Sequence, residues 1–294
     1  MKLLPVALLL LSGASRAAET ASFLNIGVGA RGLAMGGAYT ALADDASALA
    51  WNAAGLSSLE KRELTTSHST LAFGTRHDFA AYAQPTAGGT FAVGAIYLSR
   101  AAIAGRDELG HPTASYGASD AALAAGWGKN LGLASAGVAV KYIRSHIASA
   151  EAHTVAVDAG LRRELGSLII GAAVRNLGAG LKYDGERNDL PLRVAAGAAC
   201  KLPGGHALAA ELIDGPREAG FDGSVGGEYQ AIRSVFLRAG WSSEHRVEGG
   251  SGFEAARGLT LGVGYRDARW DFAYAVLPMG ELGNSHRFTV GSRF

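Results

Sequence analysis

From about residue 62 to its last residue, the chain breaks into segments of roughly 9–13 residues in which bulky apolar side chains alternate with small or polar ones. Leu192, Val194, Ala196 and Ala198 oppose Arg193, Ala195, Gly197 and Ala199. Leu259, Leu261, Val263 and Tyr265 likewise oppose Thr260, Gly262, Gly264 and Arg266. A period of two places each set on one face of a strand. Fourteen such segments can be drawn, at 62–72, 77–85, 89–99, 119–129, 132–145, 152–163, 167–177, 190–201, 205–213, 220–230, 233–243, 256–266, 269–277 and 285–294. The number is even, and each segment has about the length of a tilted membrane-spanning strand.

Alternation suits a two-sheet sandwich as well as a barrel, so other features must choose. Apolar residues make up 48% of the chain and charged residues 18%, with a mean hydropathy of +0.14. That is too apolar and too weakly charged for disorder. After the N-terminal leader no apolar run approaches the ~18–20 residues of a spanning helix, which excludes a helical membrane protein. Links on one side of the strand array are short, as at Asn130-Leu131 and Ala231-Ile232. On the other side they reach about 12–20 residues, as at 101–118 and 178–189, the sorting of an outer-membrane barrel. Phe91, Trp127, Tyr229, Tyr265, Trp270 and Phe294 fall near one set of strand ends, and Phe79, Tyr97, Phe221 and Trp241 near the other. They form two candidate aromatic girdles. The expected fold is all-β, an antiparallel transmembrane barrel of about fourteen strands.

Strand phase turns Lys141, Asp158, Arg175, Arg193, Glu211, Asp222, Glu228, Arg238, Arg266, Asp271 and Arg287 inward. They read either as a lined pore or as paired charges stabilising a filled lumen. At the C-terminus Phe288, Val290 and Phe294 share one face, against Arg287, Thr289 and Arg293 on the other. A last amphipathic strand ending in Phe294 resembles the assembly signal of outer-membrane barrels, so the barrel-assembly machinery and outer-membrane lipid are expected partners.

Residues 1–17 read as a secretory signal peptide, with Lys2 before an apolar stretch from Leu3 to Leu11 and a small-x-small site at Ser15-Arg16-Ala17. Its removal leaves 25 basic against 26 acidic side chains (27 minus Lys2 and Arg16), a balance that gives no electrostatic argument for nucleic acid. Cys200, the only cysteine, precludes an internal disulfide. No Gly-x-Ser-x-Gly elbow or His-Glu-x-x-His helix is present, and no catalytic, metal or cofactor residue is assigned. A triad assembled across strands by His111, His146 or His245 stays a further alternative, as does a secreted adhesion sandwich.

Residues 18–60 form a separate glycine-rich segment before the barrel at 61–294. Gly27-x-Gly29-x-x-Gly32 matches a dinucleotide fingerprint, but that motif needs a βαβ unit and an acid about twenty residues on, where Asn52 stands. Asp44 and Asp45 are a weak cation pair; the preferred reading has one of them cap a helix at 46–51 that Gly55 terminates. The run Gly27, Gly29, Ala30, Arg31, Met35, Gly36, Gly37, followed by Asp44-Asp45 and by Trp51, Asn52 and Gly55, resembles the opening of the PorV/PorQ family of outer-membrane proteins, relatives of FadL-type transporters. The resemblance covers about 35 residues. It implies a barrel with this segment folded into the lumen as a hatch, and it sets Asn52, Ala54 and Gly55 on the family's Asn-Pro-Ala-Gly turn, with Ala53 in place of the proline. It implies protein export with secreted cargo as partner, or else FadL-like passage of hydrophobic small molecules.

Overall fold

The structure is a computed structural model that describes residues 20–183, 185–216, 221–244 and 258–294. The expected signal peptide at 1–17 lies outside the described residues. The strands are β1 (Glu63–Thr70), β2 (Arg76–Thr86), β3 (Gly89–Arg106), β4 (Pro112–Asn130), β5 (Ser135–Ile147), β6 (Ala150–Leu165), β7 (Leu168–Gly178), β8 (Leu181–Tyr183), β9 (Glu186–Asn188), β10 (Arg193–Leu202), β11 (His206–Asp214), β12 (Phe221–Ile232), β13 (Val235–Ser242), β14 (Leu259–Arg266), β15 (Trp270–Pro278) and β16 (Asn284–Arg293). All but β8 and β9 form one closed antiparallel barrel of fourteen strands, with β1 paired to β16 from Glu63↔Arg293 to Thr70↔His286. Closure pairs the backbone groups that an open sheet would leave at its edges.

The outward face carries Leu64, Val93, Leu123, Val140, Leu161, Leu212, Leu237 and Val263, all exposed, which is the pattern a lipid-facing wall requires. One end of the barrel has links of two to four residues throughout; at the other, links range up to the stretch between β13 and β14. These are called the short-turn end and the mouth.

Three expectations are corrected. The stretch 101–118 is largely strand, because β3 and β4 run on beyond the wall and leave only 107–111 as a turn, with register shifts between Arg100 and Gly105. The stretch 178–189 holds the β8–β9 hairpin, which turns inward far enough to bury Leu181 completely. Phe79 is not an outward girdle residue: it faces inward at 4% exposure, and Asp78 takes the outer face beside His68.

Residues 20–61 lie inside the ring. They contain two 3-10 turns (Ser22–Asn25 and Ala53–Ser58) and two short helices, α1 (Ala30–Ala34) and α2 (Ala48–Trp51). Helix α1 contacts β13 to β16, and the second 3-10 turn contacts β3 to β6, so the segment spans the lumen from wall to wall. Its apolar side chains form the core with inward alanines of the barrel, among them Ala81, Ala122 and Ala139. Glycines on the wall are what let it fit. A Cβ on Gly240 would sit 2.2 Å from the Gly36 nitrogen, and one on Gly137 would sit 2.2 Å from the Ala53 carbonyl carbon.

Candidate functional site

The local fold of the inner segment follows from its sequence. Gly29, Gly36 and Gly37 have positive φ and reverse the chain around α1. The expected helix is shorter than 46–51. Asp45 organises its approach by accepting from the Ser47 nitrogen at 2.9 Å and from the Ser47 hydroxyl. Neither aspartate caps α2 itself, and the helix ends at Asn52, whose Oδ1 accepts from the Ala54 nitrogen at 3.1 Å. Gly55 instead sits in the following 3-10 turn, where a Cβ would meet the Ala43 oxygen at 2.0 Å.

Four carboxylates of the wall or segment fasten this fold. Glu228 on β12 accepts from Arg31 Nε at 2.9 Å and Nη2 at 3.1 Å, and from Arg238 Nε on β13 at 2.7 Å. Arg31 Nη1 also reaches Asp44 at 2.5 Å and donates to the Tyr39 hydroxyl at 3.0 Å, and that hydroxyl donates to Asp45 at 2.8 Å. Burial pushes the Asp44 carboxyl up, but the positive charges of Arg31 and Arg266 outweigh this and hold it below the usual carboxylate range. Glu211 on β11 accepts from the Tyr39 and Thr40 nitrogens at 2.9 and 2.7 Å and from the Thr40 hydroxyl at 2.8 Å. Neutral ties add to these: Ala30 N–H to Thr289 Oγ1 at 2.8 Å, Gly36 N–H to Thr260 Oγ1 at 3.1 Å, and Asn52 Nδ2 to the Leu161 carbonyl at 3.1 Å. Gly27 and Met35 are packing residues, Gly27 against Leu33 and Trp51, and Met35 against Gly226 and Gly240.

The remaining expected site residues are dispersed. Arg175 lies 5.6 Å from the Trp51 ring centroid, Arg193 pairs with Glu244 at 3.0 Å, and Arg266 pairs with Asp271. Phe294 is exposed at the short-turn end, its nitrogen bonded to the Arg62 carbonyl at 3.0 Å. The inward charges are mostly paired with one another or bonded to the inner segment.

Space remains on both sides of the segment. At the mouth is a cavity of about 330 Å³ lined by Ile26, Leu33, Leu71, Leu277, Pro278 and Met279, with Asn25, Thr75, Glu244 and Arg287 as its polar members. A narrower space of about 40 Å³ shares Asn25 to Gly27, Leu33 and Glu244 with it and reaches the wall at Arg175 and Asn176. There the wall is irregular. Asn176 has φ +63°, the β6–β7 register shifts between Val157 and Ala159, and β7 pairs with β10 only up to Arg175. Asn176 bridges the discontinuity, receiving Lys141 Nζ at 2.8 Å and donating to the Pro191 carbonyl at 2.9 Å. At the short-turn end a polar vestibule of about 670 Å³ includes Lys61, Arg162, Glu164 and Arg293.

Sequence reasoning missed the mouth cavity and Asn176. Barrel closure alone brings Leu71 beside Met279, and nothing in the β7 sequence distinguishes a bulge at an asparagine.

The fold is shared with solved transporters. The toluene transporter TbuX of Ralstonia pickettii superposes with a TM-score of 0.64 at 14% identity, over 91% of this chain and 98% of that one. The toluene transporter TodX of Pseudomonas putida gives 0.62 at 13% identity, over 91% and 99%. A FadL homologue of Pseudomonas aeruginosa gives 0.55 at 12% identity, over 87% and 95%. At such identities the likeness is one of fold. No protein-family model matches the chain, and no curated protein sequence matches it.

Proposed function

We propose that this protein is an outer-membrane channel for hydrophobic small molecules, with residues 20–61 as a hatch that blocks a straight path through the lumen. The observation that carries this reading is the apolar mouth cavity, about 330 Å³, set directly on the inner segment and joined in its lining to the space that reaches the wall at Asn176. A pocket of this volume with a few convergent polar groups is the usual form of a small-molecule site. The closed ring and its apolar outer belt suit an outer membrane, and the transporters of the same fold favour small-molecule passage over the export of secreted cargo.

The route runs from the mouth cavity past Leu33 toward the discontinuity at Asn176, since the ion-paired hatch closes the axis. A Gram-negative host expressing the chain should take up radiolabelled toluene or 4-phenylbutyrate faster than the same host with empty vector. Ala72→Trp, which fills the mouth from the β1–β2 link, should remove the gain. Uptake of both probes at the vector rate would overturn the reading.

A further inference from the structure

We propose that the outer wall over β13 to β16 holds one phospholipid of the leaflet beside the short-turn end. An acyl chain lies in a groove between two rows of aromatic and aliphatic side chains, and the phosphate meets Arg233 and Arg269. This rests on the outer-membrane reading alone and is independent of what the lumen carries.

The groove has a volume of about 330 Å³, and cross-strand register builds its two sides. Val235, Tyr265, Phe272 and Val290 stand opposite one another in turn, and two residues further from the turns so do Val263, Tyr274 and Phe288. The row between them is Gly264, Ala273 and Thr289, on the lumen-facing phase, so the floor of the groove is backbone. Ring contacts brace both sides, Tyr265 with Phe272 at 6.3 Å and Tyr274 with Phe288 at 4.9 Å between centroids. The tyrosine hydroxyls are engaged at the edges, by Asp267 at 3.1 Å and by His286 at 2.7 Å, which leaves the slot itself to hydrocarbon.

The dimensions suit a single chain. Rows two residues apart along a strand are separated by about 7 Å, and three strand spacings give a length of about 14 Å. An α-helix, about 10–12 Å across with its side chains, is too wide to seat there. Strands of membrane barrels tilt by about 35–45°, so a slot running across them leads obliquely toward the headgroups.

Charge marks the end from which the chain hangs. Apart from the entry to β1, six turns close the short-turn end, and those at 87–88, 131–134, 166–167 and 203–205 hold no charged residue. The two that do are the β12–β13 turn with Arg233 and the β14–β15 turn with Asp267 and Arg269, both at the groove. They are neighbours, since the Arg266 nitrogen donates to the Ser234 carbonyl at 2.8 Å. Arg233 and Arg269 are exposed, and neither has an ion-pair partner among the described residues. Arg269 lies 5.5 Å from the Trp270 ring centroid, a cation held at the level of the aromatic belt. Asp267 is occupied within its turn, accepting from the Arg269 and Trp270 nitrogens at 2.8 and 2.7 Å. Short turns of outer-membrane barrels face the periplasm, where the leaflet is glycerophospholipid. Its phosphate complements the two guanidiniums, and its chain complements the groove.

Native mass spectrometry of the purified barrel tests this with dioleoylphosphatidylglycerol and with dioleoylglycerol, which has the same chains and no phosphate. The wild type should retain one phosphatidylglycerol per barrel at least about tenfold more strongly than the diacylglycerol, as two arginines at a lipid surface allow. Arg233→Gln combined with Arg269→Gln should make retention of the two lipids equal, with toluene uptake as in the wild type. Val263→Trp, which fills the slot from the outer face, should lower retention of both, and heat-modifiable migration checks that each variant is a closed barrel. Equal retention by the wild type, a preference that survives the double variant, or retention unchanged by Val263→Trp overturns the lipid site. The channel reading is judged by cellular uptake and stands or falls separately.

Discussion

Glu228→Gln is the substitution that most directly tests whether the inner segment is held by charge. The side chain keeps its shape but loses the charge that faces two guanidiniums at 2.7–2.9 Å. Breaking a buried pair by neutralising one partner costs about 3–5 kcal/mol, mostly for the charge left behind. Not all of that acts on the inner segment, because Arg238 belongs to the wall, which its own ladder holds in place. The share that does is the pair of bonds from Arg31, which retains Asp44. Allowing about 2–3 kcal/mol for that share, the undocked population should rise by roughly 30- to 150-fold. Planar-bilayer recording reads this as more frequent openings to ions, while the variant keeps the heat-modifiable migration of a closed barrel. Glu228→Gln combined with Arg238→Met should lie closer to wild type than the single variant, since it removes the stranded wall cation as well. Open probability unchanged in the single variant, or a double variant more perturbed than the single, would refute the argument that charge pairing docks the segment.

Two further perturbations separate packing from charge. Gly240→Val places atoms within about 2.2 Å of the Gly36 and Met35 backbone, which cannot yield as a flexible side chain would, so ion conductance should rise in a barrel that still assembles; wild-type conductance would show that the segment is not packed on β13. Because Asp44 is held below the usual carboxylate range of about 3.9, its stabilising contribution is complete above that range and is lost only as pH falls through its lower folded value. Bilayer conductance should therefore be the same at pH 7 and pH 5 as far as this pair is concerned, and an Asp44→Asn variant, uncharged like the protonated carboxyl, should already show at pH 7 the opening that the wild type shows only below that range; a wild-type opening between pH 7 and 5 that Asp44→Asn already shows at pH 7 would contradict that sign.

The barrel was legible because lipid outside and a crowded interior impose two chemistries on alternate residues, and this contrast marks every spanning strand. It fails where the contrast stops. Beyond the apolar layer both faces of β4 are exposed from Pro112 to Gly117, so the sequence there carries no period although the hairpin continues. Strands β8 and β9 have three residues each, too few to show a period at all. Phe79 misled for a related reason: the inner segment makes the lumen apolar near its mouth, so an aromatic ring there is core, not girdle. The candidate site is hidden at a further level. Phase places Arg287 and Arg238 inward alike, but what each meets depends on barrel closure and cross-strand register, which put Ser69 and Ala275 beside one and Glu228 beside the other. Inward charges of one strand pattern thus divide into some that fasten the inner segment, some that pair along the wall, and Arg287, which lines a cavity, and register, not composition, makes the division.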